Sequence, residues 1–358
     1  MNDTLYMKRA LTLAAKARGM TSPNPMVGAV LVKNEKIIAE DYHRRAGTPH
    51  AEALVLAEAG EKAQGSTLYV TLEPCCHTEK RTPPCTKDII RKGITKVVTA
   101  MLDPNPKVSG LGLRELSNAG VEVSSGILED EARKLNEFYI KHITTGRPFV
   151  ILKVAMTLDG KIATPEGQSK WITGEKARST VHRLRSSVDA VLTAIGTVKA
   201  DNPQMTARIK GGKNPARIVI DPALEISSDA KILQTPPETI IVTNERNTDN
   251  YFHLKSDCSA IYFNNSLDLN WLMEKLGKKG ITSVLIEGGS SLNAHALEDG
   301  IVDKIMFFIA PKIIGGKDSL TAVGGRNFKN LEEAYRVKDV SIKRFGEDIL
   351  VEGYINKT

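Results

Sequence analysis

The sequence predicts an α/β protein built as two domains, and three observations carry that expectation. The chain has 358 residues, more than the ~250–300 at which a single core stops growing. Short apolar runs rich in Val and Ile alternate with helical-period segments through both halves. Thr144-Thr145-Gly146-Arg147-Pro148 breaks that alternation, so the expected domains are residues 1–146 and 147–358.

In the first half, Tyr6-Met7, Ala10-Leu11 and Ala14-Ala15 recur at helical spacing and predict an opening amphipathic helix. Met26 to Val32 and Lys36 to Ala39 read as strands around an Asn34-Glu35 turn. Thr48 and Pro49 supply an N-cap and first-turn proline for a helix from His50 to Ala59, closed by Gly60. Strands are expected at Thr67 to Leu72, Lys96 to Met101 and Val121 to Val123. Helices are expected from Pro84-Cys85 to Gly93, over Leu111 to Ala119, and as one long element over Glu129 to Ile143. Cys75 and Cys85 are both expected at helix N-termini, where the dipole favours thiolate.

In the second half, strands are predicted at Phe149 to Met156, Asp189 to Ala194, Ala216 to Ile220, Thr239 to Thr243, Ala260 to Phe263 and Ser283 to Glu287. Helices are predicted at Glu175 to Ser187, Leu269 to Leu276 and Ser291 to Leu297. Arg336 to Phe345 and Asp348 to Tyr354 alternate as a hairpin around Gly346-Glu347.

Composition narrows the function classes. No run approaches the ~18 apolar residues that span a bilayer, and Met1-Asn2-Asp3-Thr4 does not open a secretory signal. Three of four cysteines crowd between Cys75 and Cys85, a metal-ligand spacing rather than a disulfide framework; a cytoplasmic protein is expected. Cys258 is expected as an inert buried thiol. The net charge of +7 divides as +4 over residues 1–150 and +3 over residues 151–358. No basic tail or stripe follows a phosphate backbone, so phosphorylated small molecules are expected, not nucleic acid or membrane.

His50-Ala51-Glu52, then Pro74-Cys75 and Cys85, is the chemical centre of the first half. His50, Cys75 and Cys85 would hold zinc through one nitrogen and two sulfurs, with the fourth position open for water. Glu52 lies two positions from His50, too poorly placed to share the ion, and would carry protons. His-x-Glu followed by Pro-Cys is the pattern of zinc base deaminases. Cys76 and His77 are chemically able to bind metal but more naturally line the pocket.

Thr71-Leu72-Glu73-Pro74-Cys75-Cys76-His77 and Arg81-Thr82-Pro83-Pro84-Cys85, with Ser22 to Gly28 and Asp103 to Gly112, resemble the bifunctional riboflavin-biosynthesis deaminase–reductases. The resemblance implies a cytidine-deaminase-like three-layer domain and a dihydrofolate-reductase-like domain. It implies deamination of 2,5-diamino-6-ribosylamino-4(3H)-pyrimidinone 5′-phosphate, then NADPH reduction of the ribosyl to a ribityl chain. Asn24, His43, His77, Lys80 and Thr82 become deaminase substrate contacts. One departure is visible: nine residues separate Cys75 from Cys85, where the family usually has eight.

In the second half no Gly-x-Gly-x-x-Gly follows a strand, so the dinucleotide fingerprint is absent. Glu287-Gly288-Gly289-Ser290-Ser291 does sit between an apolar strand and a helix, where backbone N–H groups suit phosphate. Lys153 to Lys161, Ser169 to Thr173 and Gly196 to Pro203 resemble the same family's reductase half. By that resemblance Ala155, Trp171, Thr197, Asp201 and the loop Gly289, Ser290, Ser291, Leu292, Asn293, Ala294 and His295 hold NADPH. Ser169, Arg185, Met205, Arg208 and Glu287 hold substrate, and Arg185 and Arg208 have the guanidinium chemistry for its phosphate. A homo-oligomer is expected. A nucleoside or tRNA-base zinc deaminase with an unrelated C-terminal domain is the alternative; it would need aromatic or basic surfaces for RNA.

Overall fold

A computed structural model describes residues 3–76, 83–247 and 258–356, and the chain forms two compact units, Met1–Gly146 and Arg147–Thr358. The first opens with α1 (Asp3–Ala15), which buries Tyr6, Met7, Ala10, Leu13 and Ala14. β1 (Gly28–Lys33) and β2 (Lys36–Tyr42) form a hairpin. Asn34 and Glu35 both take positive φ, 50° and 60°, as a two-residue hairpin turn requires. There follow α2 (Ala51–Ala59), β3 (Thr67–Val70), α3 (Cys85–Arg91), β4 (Lys96–Thr99), α4 (Leu111–Asn118), β5 (Glu122–Ser125), α5 (Glu129–Leu135) and α6 (Glu137–Thr145).

The strands lie in the order β2-β1-β3-β4-β5, antiparallel as far as β3 and parallel from β3 to β5. β3 is buried along its whole length and β1 along all but its last residue, so helices cover both faces. α1 lies directly on β1. A Cβ at Gly28 would fall 2.1 Å from the Ala10 carbonyl oxygen, so only glycine permits that approach.

Four local expectations for this unit need correction. The helix expected over Glu129 to Ile143 is two helices, broken at Asn136. The buried Asn136 side chain accepts from Met26 N at 2.8 Å and donates to Met26 O at 3.0 Å. That tertiary clasp holds Asn136 at φ −105°, ψ 22°, outside helical geometry. The N-cap of α2 is His50, not Thr48, whose hydroxyl donates to Arg45 O instead. Cys85 is the first residue of α3, but Cys75 lies in irregular chain after β3. The predicted strands Thr67 to Leu72 and Lys96 to Met101 each end two residues early.

The second unit comprises β6 (Phe149–Thr157), β7 (Lys161–Ala163), α7 (Glu175–Ser187), β8 (Ala190–Ala194), α8 (Ile195–Asp201), β9 (Ala216–Ile220), β10 (Thr239–Asn244) and β11 (Cys258–Phe263). α9 (Leu269–Lys278), β12 (Ser283–Ile286), α10 (Ser290–Glu298), β13 (Lys304–Ala310), β14 (Leu320–Thr321), β15 (Val337–Phe345) and β16 (Asp348–Ile355) complete it. The main sheet runs β11-β10-β9-β8-β12-β6-β13-β16-β15, parallel from β11 to β13 and antiparallel beyond. Ile286 pairs with Leu152 of β6 and Leu192 of β8. Glu287 therefore emerges at the carboxyl edge of the parallel strands, beside Lys153, where open α/β sheets bind ligands.

β13, in mid-sheet, is unforeseen: Lys-Ile-Met-Phe-Phe-Ile-Ala is a short apolar run without alternation, which periodicity cannot type. α8 is unforeseen because Gly196 and β-branched Thr197 and Val198 are weak helix formers. Cys258, expected buried, is half-buried at the start of edge strand β11.

Candidate active sites

His50, Cys75 and Cys85 come together although they lie 25 and 10 positions apart in turn. His50 Nδ1 lies 3.3 Å from Cys85 Sγ and 3.6 Å from Cys75 Sγ, and the ligand atoms are all within 4.8 Å of one another. A tetrahedral zinc, with Zn–N of about 2.0–2.1 Å and Zn–S of about 2.3 Å, spaces N and S about 3.5–3.6 Å apart. The donor set and its spacing therefore fit zinc. Among the described residues this is the one His/Cys/Asp/Glu cluster of that kind, and Cys76 is not in it. The N–H of Cys85 also points to Cys75 Sγ at 3.5 Å, so the amino end of α3 favours a thiolate on Cys75.

Glu52 sits in the first turn of α2, 4% exposed, in hydrogen-bonding contact with Cys85. Burial pushes its carboxyl up, with His50 opposing. His43 is buried, its ring edge-on to that of His50 with centroids 5.6 Å apart. His43 Nδ1 donates to Pro49 O at 3.1 Å, which leaves Nε2 to accept from Asn24 Nδ2 at 3.2 Å. Burial pushes the ring's pKa below the ordinary histidine value, with the Pro49 contact opposing. Asn24 and His43 thus reach the metal cluster as a hydrogen-bonded pair. His77, Lys80 and Thr82 lie outside the described residues.

Glu73 is a residue the sequence reading passed over. Its buried carboxylate accepts from the N–H groups of Asp103 at 3.1 Å, Gly110 at 2.8 Å, Gly112 at 2.9 Å and Leu113 at 3.2 Å. It thereby caps α4 and ties the Asp103 loop to the turn that delivers Cys75. A Cβ at Gly112 would meet Pro74 O at 2.1 Å, so glycine is needed for this approach. The signal was an acid next to Pro74-Cys75 with glycines flanking a downstream helix start.

At the second site Glu287, 7% exposed, accepts from Arg185 Nε at 2.5 Å and Nη2 at 3.0 Å, and from Lys153 Nζ at 2.7 Å. Burial opposes its charge, but the two cations outweigh burial and hold the carboxyl well below the usual range. Arg185 also donates to Thr206 O at 3.1 Å and touches Met205 Sδ at 3.6 Å. Its guanidinium is thus largely spent within the chain. Arg208 is exposed, with longer contacts to Thr206 Oγ1 at 3.4 Å and Gln204 Oε1 at 3.2 Å. Met205 and Arg208 both hold φ at 52°, a strained conformation for non-glycine residues. Lys153 also escaped the sequence reading, although a lone lysine within an otherwise apolar strand was its signal.

Ser169 Oγ donates to Asp201 Oδ1 at 2.9 Å, joining a residue expected on substrate to one expected on cofactor. Half-buried Thr197 faces the Gly289 backbone, since a Cβ at Gly289 would lie 3.6 Å from its hydroxyl. Gly289 to His295 is not a loop but the N-cap and first turns of α10. Leu292, Asn293 and Ala294 turn their side chains into the core, while Ser291 and His295 are exposed. A Cβ at Gly288 would meet Leu292 at 2.9 Å, so this glycine lets the helix start close against the strand. The open N–H groups of the first turn fit a cofactor phosphate. The Trp171 ring is 62% exposed with the Arg178 guanidinium 4.6 Å above it, and Ala155 is half-buried on β6. No helix among the described residues is long and apolar enough to cross a membrane.

Two family models match the chain, one in each half. Residues 1–101 match the cytidine and deoxycytidylate deaminase zinc-binding region, and residues 148–351 match the RibD C-terminal domain. The riboflavin biosynthesis protein RibD of Actinobacillus pleuropneumoniae is 45% identical over 360 residues, covering 98% of this chain and 95% of its own. The solved RibD of Acinetobacter baumannii superposes with a TM-score of 0.91 at 37% identity, covering 99% of each chain. A Thermotoga maritima structure, a diaminohydroxyphosphoribosylaminopyrimidine deaminase/5-amino-6-(5-phosphoribosylamino)uracil reductase, gives 0.90 at 39% identity, again over 99% of each chain. An N-terminal cytidine-deaminase-like fold joined to a RibD reductase fold, matched along nearly the whole length, means that the chain belongs to the RibD family of bifunctional, zinc- and NADPH-dependent riboflavin-biosynthesis deaminase–reductases.

Proposed function

We propose that residues 1–146 deaminate 2,5-diamino-6-ribosylamino-4(3H)-pyrimidinone 5′-phosphate and residues 147–358 reduce its deaminated product. The convergence of His50, Cys75 and Cys85 with buried Glu52 against them carries the reading. His50, Cys75 and Cys85 would hold zinc, which when bound would acidify a water and so supply a nucleophile at neutral pH. Glu52 takes the proton of the attacking water and returns it to the departing amine, which leaves as ammonia. Asn24, oriented by His43, contacts the pyrimidine, with His77, Lys80 and Thr82 completing the pocket.

NADPH bound in the second unit would supply the hydride that the ribose carbon bearing the amine requires. Lys153, fixed by Glu287, delivers the proton that the released ring oxygen needs. Gly289 to Ser291 seat a cofactor phosphate, with Ala155, Trp171, Thr197 and Asp201 along the rest of the cofactor. Ser169 and Arg208 hold substrate, while Arg185 and Glu287 order the wall behind them. Exposed Val340 and Ile342 on edge strand β15 favour an assembly of identical chains. A site that needs thiolates suits the reducing cytoplasm.

Glu52→Gln tests the reading. Deamination should fall by about 10²–10⁴-fold, while NADPH oxidation on supplied deaminated intermediate persists. Loss of both activities in a folded, zinc-loaded variant would refute two separate sites.

A further inference from the structure

We propose that His182 is a pH-gated cation of the substrate-phosphate anchor in the reductase unit. The proposal rests on the reading that Arg208 binds that phosphate. α7 places His182 and Arg185 three residues apart, on one helix face. Both reach the same acceptor: His182 Nδ1 lies 3.3 Å from Thr206 O, and Arg185 Nη1 lies 3.1 Å from it. Arg208, two residues beyond, turns its Nε back to Thr206 Oγ1. One strained loop, with positive φ at Met205 and Arg208, thus gathers all three bases.

A carbonyl oxygen only accepts, so the neutral imidazole carries its hydrogen on Nδ1, and Nε2 is the atom that gains a proton. The groups facing His182 are Arg185, Arg208 and Glu287. Glu287 is already matched by Lys153 and Arg185, so it adds little to hold a second proton. Burial first, then the Arg185 and Arg208 charges, keep His182 below its ordinary range. A phosphate dianion beside Arg208 reverses that balance, because an opposite charge within ~4–6 Å favours the charged ring. Binding then takes up a proton. The added affinity is present at low pH and is lost as pH rises through the pKa of the complex.

Calorimetric titration of the full chain with ribose 5-phosphate, from pH 6 to pH 9 in buffers of different ionisation enthalpy, tests this. Wild type should take up more protons than His182→Gln, whose amide can still donate to Thr206 O. Wild-type affinity should also fall more than that of His182→Gln across the range, by several-fold and at most about tenfold, the limit when the ring's pKa differs by about one between the free and bound protein. The second ionisation of phosphate, near pH ~6, is common to both proteins and cancels in the difference. NADPH affinity should be the same in both. Parallel pH profiles and equal proton uptake, with Arg208→Ala weakening ribose 5-phosphate, would overturn the role of His182 alone. Ribose 5-phosphate binding unchanged in Arg208→Ala would overturn the anchor itself.

Discussion

Glu287 and Arg185 form a two-point ion pair, Nε to Oε1 at 2.5 Å and Nη2 to Oε2 at 3.0 Å, with both side chains largely withdrawn from water. The carboxylate stays charged because Lys153 joins Arg185 against it. Removing one partner of a buried pair costs about 3–5 kcal/mol, since the other charge is left uncompensated. Glu287→Gln should therefore lower the stability of the reductase unit by about that amount and abolish reduction. Urea unfolding followed by hydrogen exchange in α7 and β12 measures it; an unmoved transition in those elements would mean the pair carries no net stability.

Metal analysis checks the ligand set. The wild-type chain should hold about one zinc, and Cys85→Ser should lose most of it, because two remaining protein ligands are fewer than the three a catalytic site uses. Cys76→Ser should keep it. Loss of zinc from Cys76→Ser would replace Cys75 by Cys76 in the site.

The Glu73 hub makes a separate prediction. In Glu73→Gln an amide group replaces one oxygen and faces N–H donors it cannot satisfy, at about 1–3 kcal/mol for each buried donor left unpaired. The deaminase unit should be destabilised and should surrender zinc to a chelator faster, while reductase activity stays near wild type. Chelator competition with a colorimetric zinc indicator reports the rate. Wild-type zinc release would reduce the hub to a local cap.

Arg208→Ala should lower reductase kcat/KM for the phosphorylated substrate. A lost charge-assisted hydrogen bond costs about 1.5–3 kcal/mol, or roughly tenfold to hundredfold in rate. Remote phosphate groups act by positioning the reacting carbon, so deamination and NADPH affinity should be unaffected. Steady-state kinetics decide it, and an equal loss on a dephosphorylated analogue would return Arg208 to the solvated surface.

Asp159 joins two turns and titrates at low pH. Its carboxylate accepts from Thr157 Oγ1 at 2.6 Å and from the N–H groups of Gly315 at 2.7 Å and Ile314 at 3.2 Å, and is pulled down to about 2, chiefly by Thr157. A depressed folded-state pKa contributes stability that is complete above the unfolded value of ~3.9 and is lost as pH falls toward the folded value. Hydrogen exchange at Gly315 should therefore quicken as pH drops below ~4, after correction for intrinsic exchange. Asp159→Asn should show faster exchange already at neutral pH. Wild-type protection in that variant would show that the charge is not what holds the turn.

The sequence by itself determined most of the zinc site, because its chemistry is written in residue types at short spacing. His50, Glu52, Cys75 and Cys85 needed only the ligand preferences of zinc and the geometry of one helix turn. The regular elements were equally legible where periodicity was strong, as in α7 and β9, whose bounds agree with the expectation residue for residue. Tertiary structure decided what depends on partners far along the chain. Asn136 splits a helix because Met26, 110 residues away, clasps it. Glu73 becomes a hub only when the α4 N-terminus arrives, and Arg185 turns inward to Glu287, 102 residues on. Local pattern carries backbone propensity and side-chain chemistry. The desolvation and charge balance that assign those side chains their roles exist only after distant strands have brought them together.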